Sequence, residues 1–114
     1  MSATIAVEQR RFPRVAFRRS VRFRPEEDVL YSSYLAKDIS QSGLRFNSGN
    51  FIPVGGQVKL QIKLGQEDRV LDVLGKVVWV KYVPSFDMYQ MGVVFEGDAS
   101  YAQWNIARYV FNAL

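Results

Sequence analysis

VKLQIKLGQEDRVLDVLGKVVWVKYV, residues 58–83, is the stretch that fixes the kind of fold this chain adopts. Val58, Leu60, Ile62 and Leu64 alternate with Lys59, Gln61 and Lys63. A period of two sends successive side chains to opposite faces, which marks a strand with one face buried. Gly65-Gln66-Glu67-Asp68 reads as the loop of a hairpin. The return strand, Arg69 to Val83, is long and rich in β-branched residues, with Gly75 expected as a bulge or bend. On its apolar face stand Leu71, Val73, Val77 and Trp79, so Trp79 is expected in the core.

The same pattern continues on either side. Pro84-Ser85 turns the chain into a last strand, Met88 to Glu96. Upstream lie two further strands, Gly43 to Asn47 and Tyr31 to Ile39, and a turn at Pro25-Glu26-Glu27-Asp28. Before that turn, Val15, Phe17, Val21 and Phe23 share one face and Ala16, Arg18, Ser20, Arg22 and Arg24 the other, with Arg19 interrupting the apolar row. This predicts a strand over residues 15–24, and Arg18, Arg22 and Arg24 read as its solvated face. Pro13 forbids a regular helix just upstream and pushes Phe12 towards extended geometry. Six or seven short strands joined by tight turns predict an all-β fold, a closed antiparallel barrel. After Gly97 the period changes: Asp98 is placed to cap a helix, and Tyr101, Trp104, Ala107, Phe111 and Leu114 recur every three or four residues. That aromatic face is expected to pack on the barrel.

The chain has 114 residues, enough for one domain with a real core. It has no Cys and no His, which removes disulfides, thiolate nucleophiles, imidazole bases and the usual zinc ligands. No paired-carboxylate cluster on adjoining elements and no glycine-rich phosphate loop ahead of a helix are read from the sequence, so no catalytic residues, metal or cofactor are expected. No apolar run approaches the length of a membrane-spanning helix, and the N-terminus lacks a signal-peptide core. A soluble, cytoplasmic protein is the expectation.

Charge is unevenly spread. Residues 1–24 carry seven arginines against the single acid Glu8, a net of +6, whereas residues 25–114 carry eight Lys or Arg against ten acids, a net of −2. A basic arm on a slightly acidic body points to an anionic partner at one place. The division expected is residues 1–14 as a flexible basic arm and residues 15–114 as a barrel with its C-terminal helix.

Two short motifs stand out. In KDISQSGLRF, residues 37–46, Asp38 and Ser40 are two apart and share a strand face, and Gly43 follows at a turn. Taken alone, D-x-S-x-x-G is a common turn pattern. The second motif is R-x-x-x-R in Arg10-Arg11-Phe12-Pro13-Arg14, with Arg10 and Arg14 as its pair. R-x-x-x-R followed some twenty residues later by D-x-S-x-x-G resembles the PilZ domain. GKVVWV (Gly75 to Val80), MGVVFEG (Met91 to Gly97) and the C-terminal helix are similar to the same family. The resemblance implies a six-stranded antiparallel barrel with a C-terminal α-helix, and a receptor for the bacterial second messenger cyclic di-GMP.

The residues suit that ligand. Arginine matches the O6 and N7 acceptors of guanine bidentately and clamps phosphates. A carboxylate at Asp38 accepts from the N1–H and N2–H of guanine, which adenine lacks, and Ser40 can donate or accept. Glycine at Gly43 lets backbone approach a bulky ligand. The resemblance therefore implies a cyclic di-GMP site of Arg10, Arg14, Asp38, Ser40 and Gly43, with Arg11 as a further member. In the family, a basic residue just before the first motif arginine accompanies binding of two ligand molecules; here that residue is Gln9, which favours one. Arg45 reads as a strand-surface charge, and Trp79, whose apolar neighbours favour the core, has a place at the edge of the ligand site as its alternative. The chain would act as a monomeric adaptor, its arm ordered by ligand so that a partner protein in motility, pilus or exopolysaccharide machinery can read the change. Two alternatives are a PilZ-like adaptor that binds protein without nucleotide, and a basic-arm barrel that binds RNA or DNA.

Overall fold

A computed structural model describes residues 12–65, 69–96 and 100–114. Arg10 and Arg11, most of the arm, the tip of the hairpin at 66–68 and the cap at Asp98 lie outside the described residues. Among the described residues, seven strands and one helix follow in chain order: β1 Arg14–Ala16, β2 Ser20–Pro25, β3 Ser32–Ser40, β4 Gly43–Ser48, β5 Gln57–Ile62, β6 Leu71–Val83, β7 Met88–Glu96 and α1 Ser100–Ala113.

Neighbouring strands run antiparallel in the order β3-β2-β5-β6-β7-β4, and β4 pairs back onto β3, which closes a six-stranded barrel. β1 and β2 are two pieces of the single strand that the alternation predicts. β1 pairs with the C-terminal part of β3 and β2 with its N-terminal part. Between them the register advances by one residue, from Ala16↔Asp38 to Ser20↔Leu35. The extra residue is what lets Arg19 escape the core: Phe17 and Val21 point inward, and Arg18, Arg19 and Ser20 all face out. Strict alternation would have put the Arg19 guanidinium into the apolar interior, where burying a charge is costly.

The barrel interior is aliphatic and aromatic. Val21, Phe23, Ile39, Leu44, Phe46, Val58, Leu60, Ile62, Val77 and Met91 are almost fully buried. Phe23 packs on Phe46 with ring centroids 4.7 Å apart. Helix α1 lies against β1, β3 and β6. Its buried face is Ala102, Ile106 and Val110, with Tyr109 meeting Phe17 edge-on at 5.7 Å.

That face corrects the sequence expectation for the helix. Tyr101, Trp104, Phe111 and Leu114 are exposed. Two apolar stripes compete in this helix, and the one with smaller aliphatic side chains fits against the barrel. Two of the exposed rings lie under guanidiniums instead: Arg108 over Trp104 at 5.4 Å and Arg69 over Tyr101 at 5.6 Å. Phe86, in the turn between β6 and β7, is also exposed.

Gly75 is not a bulge. It pairs in regular register with Val58 and Phe95, and a Cβ there would sit 2.4 Å from a methyl of Val93, so glycine serves close packing across the barrel. The bulge in β6 lies instead at Val78, between the pairs Val77↔Val93 and Trp79↔Gly92.

Candidate functional site

A third irregularity sets the geometry of the D-x-S-x-x-G segment. Between Ala36↔Phe46 and Asp38↔Arg45 the β3–β4 register shifts by one, leaving Lys37 as the extra residue. Ala36 and Ile39 both point inward, and Asp38 and Ser40 share the outer face, as their spacing predicts. Bulges of this kind re-aim side chains next to functional sites.

The carboxylate of Asp38 lies between two arginines. Arg14 Nη1 donates to Oδ1 at 2.9 Å. Arg45 Nε donates to Oδ2 at 2.7 Å, and Arg45 Nη2 donates to the same oxygen. Burial pushes the Asp38 carboxyl up, but the hydrogen bonds and charges of Arg45 and Arg14 together outweigh it and hold the group below its ordinary value of 3.8. Asp38 is therefore ionised at neutral pH. Arg45 in turn is held still more firmly protonated by its hydrogen bond to Asp38.

Ser40 and Gly43 are occupied by the fold. Ser40 Oγ accepts from the Ser42 backbone N–H at 3.2 Å and lies 3.1 Å from Ser42 Oγ, tightening the β3–β4 turn. A Cβ on Gly43 would stand 2.2 Å from the carbonyl oxygen of Val93, so no larger residue fits where β4 meets β7. The structure thus brings Arg14, Asp38 and Ser40 together on β1 and β3, with Gly43 at the start of β4. Arg14 already belongs to β1, paired with Ser40, and not to the arm.

Sequence reasoning undervalued two residues. Arg45 is a partner of Asp38, not a free surface charge. The signal was available: Asp38 and Arg45 flank a tight turn, so they face each other across the hairpin. Trp79 is the second. The bulge at Val78 turns Val80 inward, opposite buried Met91, and sends Trp79 to the outer face. Its indole lies over Gly92, where a Cβ would fall 2.0 Å from Nε1.

Pairing runs laterally from Ala16 through Asp38, Arg45 and Gly92 to Trp79. Arg14, Asp38, Arg45 and Trp79 therefore share one outer face spanning β1, β3, β4, β7 and β6. One step along the same strands lies a groove of about 470 Å³ lined by Arg18, Lys37, Lys81, Leu35, Phe86 and Met88 among others, with no acid. The face as a whole offers guanidinium and ammonium donors, one ionised carboxylate that braces two of them, and a flat ring. That combination fits an anion with planar groups. No group of three or more potential metal ligands exists among the described residues, and no helix among them is long and apolar enough to cross a membrane.

Comparison with known proteins adds the following. A family model described as PilZ domain matches residues 8–112. Among solved structures, the Bacillus subtilis inhibitor of motility MotI/DgrA superposes with a TM-score of 0.73 at 20% identity, covering 90% of this chain and 50% of that one. YcgR from Escherichia coli, in complex with c-di-GMP, superposes with a TM-score of 0.69 at 13% identity, covering 91% of this chain and 45% of that one. At these identities the likeness is one of fold, and the chain spans about half the length of either structure. No curated protein matches.

Proposed function

The chain belongs to the PilZ domain family, and from that premise we propose that it is a receptor for cyclic di-GMP that acts as an adaptor, not as an enzyme. The observation that carries the reading is the outer-face cluster of Arg14, Asp38, Arg45 and Trp79. Cyclic di-GMP has two phosphates and two guanines. Arginine donors match the O6 and N7 of guanine, while adenine presents an amino group where O6 stands. Phosphates take the remaining guanidinium donors. The indole of Trp79 gives a base a face to stack on, an interaction of about 1–3 kcal/mol. That YcgR, a structure of the same fold, holds c-di-GMP supports the same ligand here.

Arg10 and Arg11 precede this site by three or four residues and bring further donors to it from the arm. Ser40 and Gly43 form the ledge beneath. Gln9, where a basic residue would favour a ligand pair, argues for one molecule per domain. Ordering of the arm is the proposed output. The arm enters the barrel at Pro13, which lines an apolar groove with Trp104, Phe111 and Leu114, so fixing the arm alters the surface around that groove. A partner protein reads the change.

The test is titration calorimetry with cyclic di-GMP, cyclic di-AMP and a control oligonucleotide on the wild type and on Arg14→Ala and Asp38→Ala. Cyclic di-GMP is expected to bind at about 0.1–10 µM, a range a cellular signal can switch. Either substitution should weaken it at least tenfold, and cyclic di-AMP should bind far less. Absence of heat with cyclic di-GMP at tens of micromolar sinks the reading; oligonucleotide binding that falls steeply with salt and ignores Asp38 would replace it with the nucleic-acid alternative.

A further inference from the structure

Two surfaces near one end of the barrel have complementary chemistry. The first is the loop that joins β2 to β3. Glu26-Glu27-Asp28 is the longest run of acids in the chain. It leads directly into Val29 and Leu30, which are 90% and 82% exposed. The loop has a fixed shape. The Asp28 N–H donates to the Pro25 carbonyl at 3.0 Å and closes a turn. Arg24 Nη1 donates to the Glu26 carbonyl at 3.2 Å and to that of Asp28. The ring of Tyr31 lies under the guanidiniums of Arg22 and Arg24, at 5.0 and 5.3 Å. Arg24 thus spends its donors on carbonyls, and the three carboxylates stay open.

The second surface is the groove of about 470 Å³ on the outer wall of β3, β4, β6 and β7. Arg18, Lys37 and Lys81 give it three cations, Leu35, Phe86 and Met88 give it apolar walls, and no acid lines it. Among the described residues, neither these cations nor the loop acids take part in an ion pair. Within one chain the two surfaces do not meet, because Val29 and Leu30 stand in solvent and are not among the groove's walls. They do adjoin. The strand pairings put the start of β3, the end of β4 and the β6–β7 turn at the same end of the barrel.

We propose that the chain self-associates as a two-fold dimer in which the loop 26–30 of each copy enters the groove of the other. Glu26, Glu27 and Asp28 meet Arg18, Lys37 and Lys81, three charges against three. Val29 and Leu30 cover Leu35 and Phe86, which are themselves 51% and 75% exposed. Because loop and groove adjoin, one two-fold axis makes both contacts at once, and the assembly closes instead of growing into a filament. A preformed loop loses little freedom on docking, which favours association. The contact is small, so the dimer is weak, with a dissociation constant of about 10–100 µM. It replaces the monomer expected from sequence. It does not rest on the cyclic di-GMP reading, whose residues Arg14, Asp38, Arg45 and Trp79 do not line the groove.

The experiment is sedimentation of the whole chain at about 5–500 µM, a range that brackets this constant. The variants are the loop reversal Glu26→Lys/Glu27→Lys/Asp28→Lys, the groove reversal Arg18→Glu/Lys37→Glu/Lys81→Glu, a chain carrying both, and Val29→Ser/Leu30→Ser. All these positions are exposed, and a thermal transition checks that each variant folds. Either reversal alone should weaken the dimer at least tenfold. The chain carrying both should regain it to within about fivefold of wild type, since each reversed loop then meets a reversed groove. Val29→Ser/Leu30→Ser should weaken it at least tenfold with no charge altered, through lost apolar burial.

A wild type that stays monomeric throughout overturns the proposal and leaves the groove to an acidic segment of another protein. A dimer that ignores both reversals places its interface elsewhere, and the proposal is wrong. It is equally wrong if the folded chain carrying both reversals stays monomeric. None of these outcomes bears on whether the wild type binds cyclic di-GMP.

Discussion

Gly92 faces outward between Arg45 on one strand and Trp79 on the other, and the indole lies flat across the space its side chain would fill. A methyl group there would collide with a ring, not with backbone. The ring is half-buried and can rotate away, so Gly92→Ala should cost little stability while tilting Trp79 off the surface. Under the proposed function, the substitution weakens cyclic di-GMP about tenfold, the order of one base–aromatic contact, and shifts the melting temperature by no more than a few degrees. Calorimetry and a thermal melt on the same sample check both halves. Gly43 gives the contrast, because a Cβ there meets the Val93 carbonyl itself, and backbone cannot rotate away.

Elements explain which parts of this molecule the sequence discloses. Wherever a strand keeps its period, as in Val58 to Ile62 or Met88 to Glu96, alternation or turn residues locate the strand and its inward face. The closed barrel, the C-terminal helix and the shared face of Asp38 and Ser40 are legible for that reason. Three one-residue register shifts, between Ala16 and Ser20, at Lys37 and at Val78, are not, because no glycine or proline marks them. Each flips the faces of all that follows, and Trp79 moves out of the expected core by this route. The helix hides a different ambiguity: its two apolar stripes are equivalent in sequence, and only the barrel surface chooses between them. Arg45 lay within reach of the sequence but needed its pairing partner to be seen. The bulge at Val78 makes a specific prediction. Deleting Val78 leaves Val77, Trp79 and Val80 opposite Val93, Gly92 and Met91 in unbroken alternation, with Trp79 still outward. Deleting Val80 instead lets the ladder regularise with Trp79 opposite Met91, forcing an indole into space shaped for valine, where overpacking costs about 1–3 kcal/mol or more. The first deletion should fold with a modest change in melting temperature and the second should be far less stable. Tryptophan emission in a Trp104→Phe background reports whether Trp79 is outside or inside.

At the scale of the whole molecule, the proposed site lies where the N-terminal segment joins the barrel at β1. Residues 1–24, which run through β1 and most of β2 of the barrel, hold a net +6 against −2 for residues 25–114, and the last arginine of the first motif, Arg14, is already locked in β1 against Ser40 and bonded to Asp38. Under the proposed function, ligand meets one half of R-x-x-x-R fixed by the barrel and recruits the other. Fixing about six residues costs on the order of 6–12 kcal/mol. A micromolar dissociation constant corresponds to about −8 kcal/mol, so contacts made by the arm must nearly cancel its ordering cost, and the barrel contacts supply most of the net affinity. That balance predicts a graded pattern of amide exchange. Without ligand, amides at residues 8–12 should exchange fast and those of β1 and β3 slowly. Saturating cyclic di-GMP should slow residues 8–12 by at least tenfold and leave β5, the strand that lies between β2 and β6 away from the proposed site, unchanged. The effect should extend through β1 to the turn of α1 around Tyr109, because Phe17, just past β1, packs edge-on against that ring. Protection confined to β1, β3 and β4, with residues 8–12 exchanging at one rate in both states, would mean that the barrel binds the messenger alone and that the arm carries no signal.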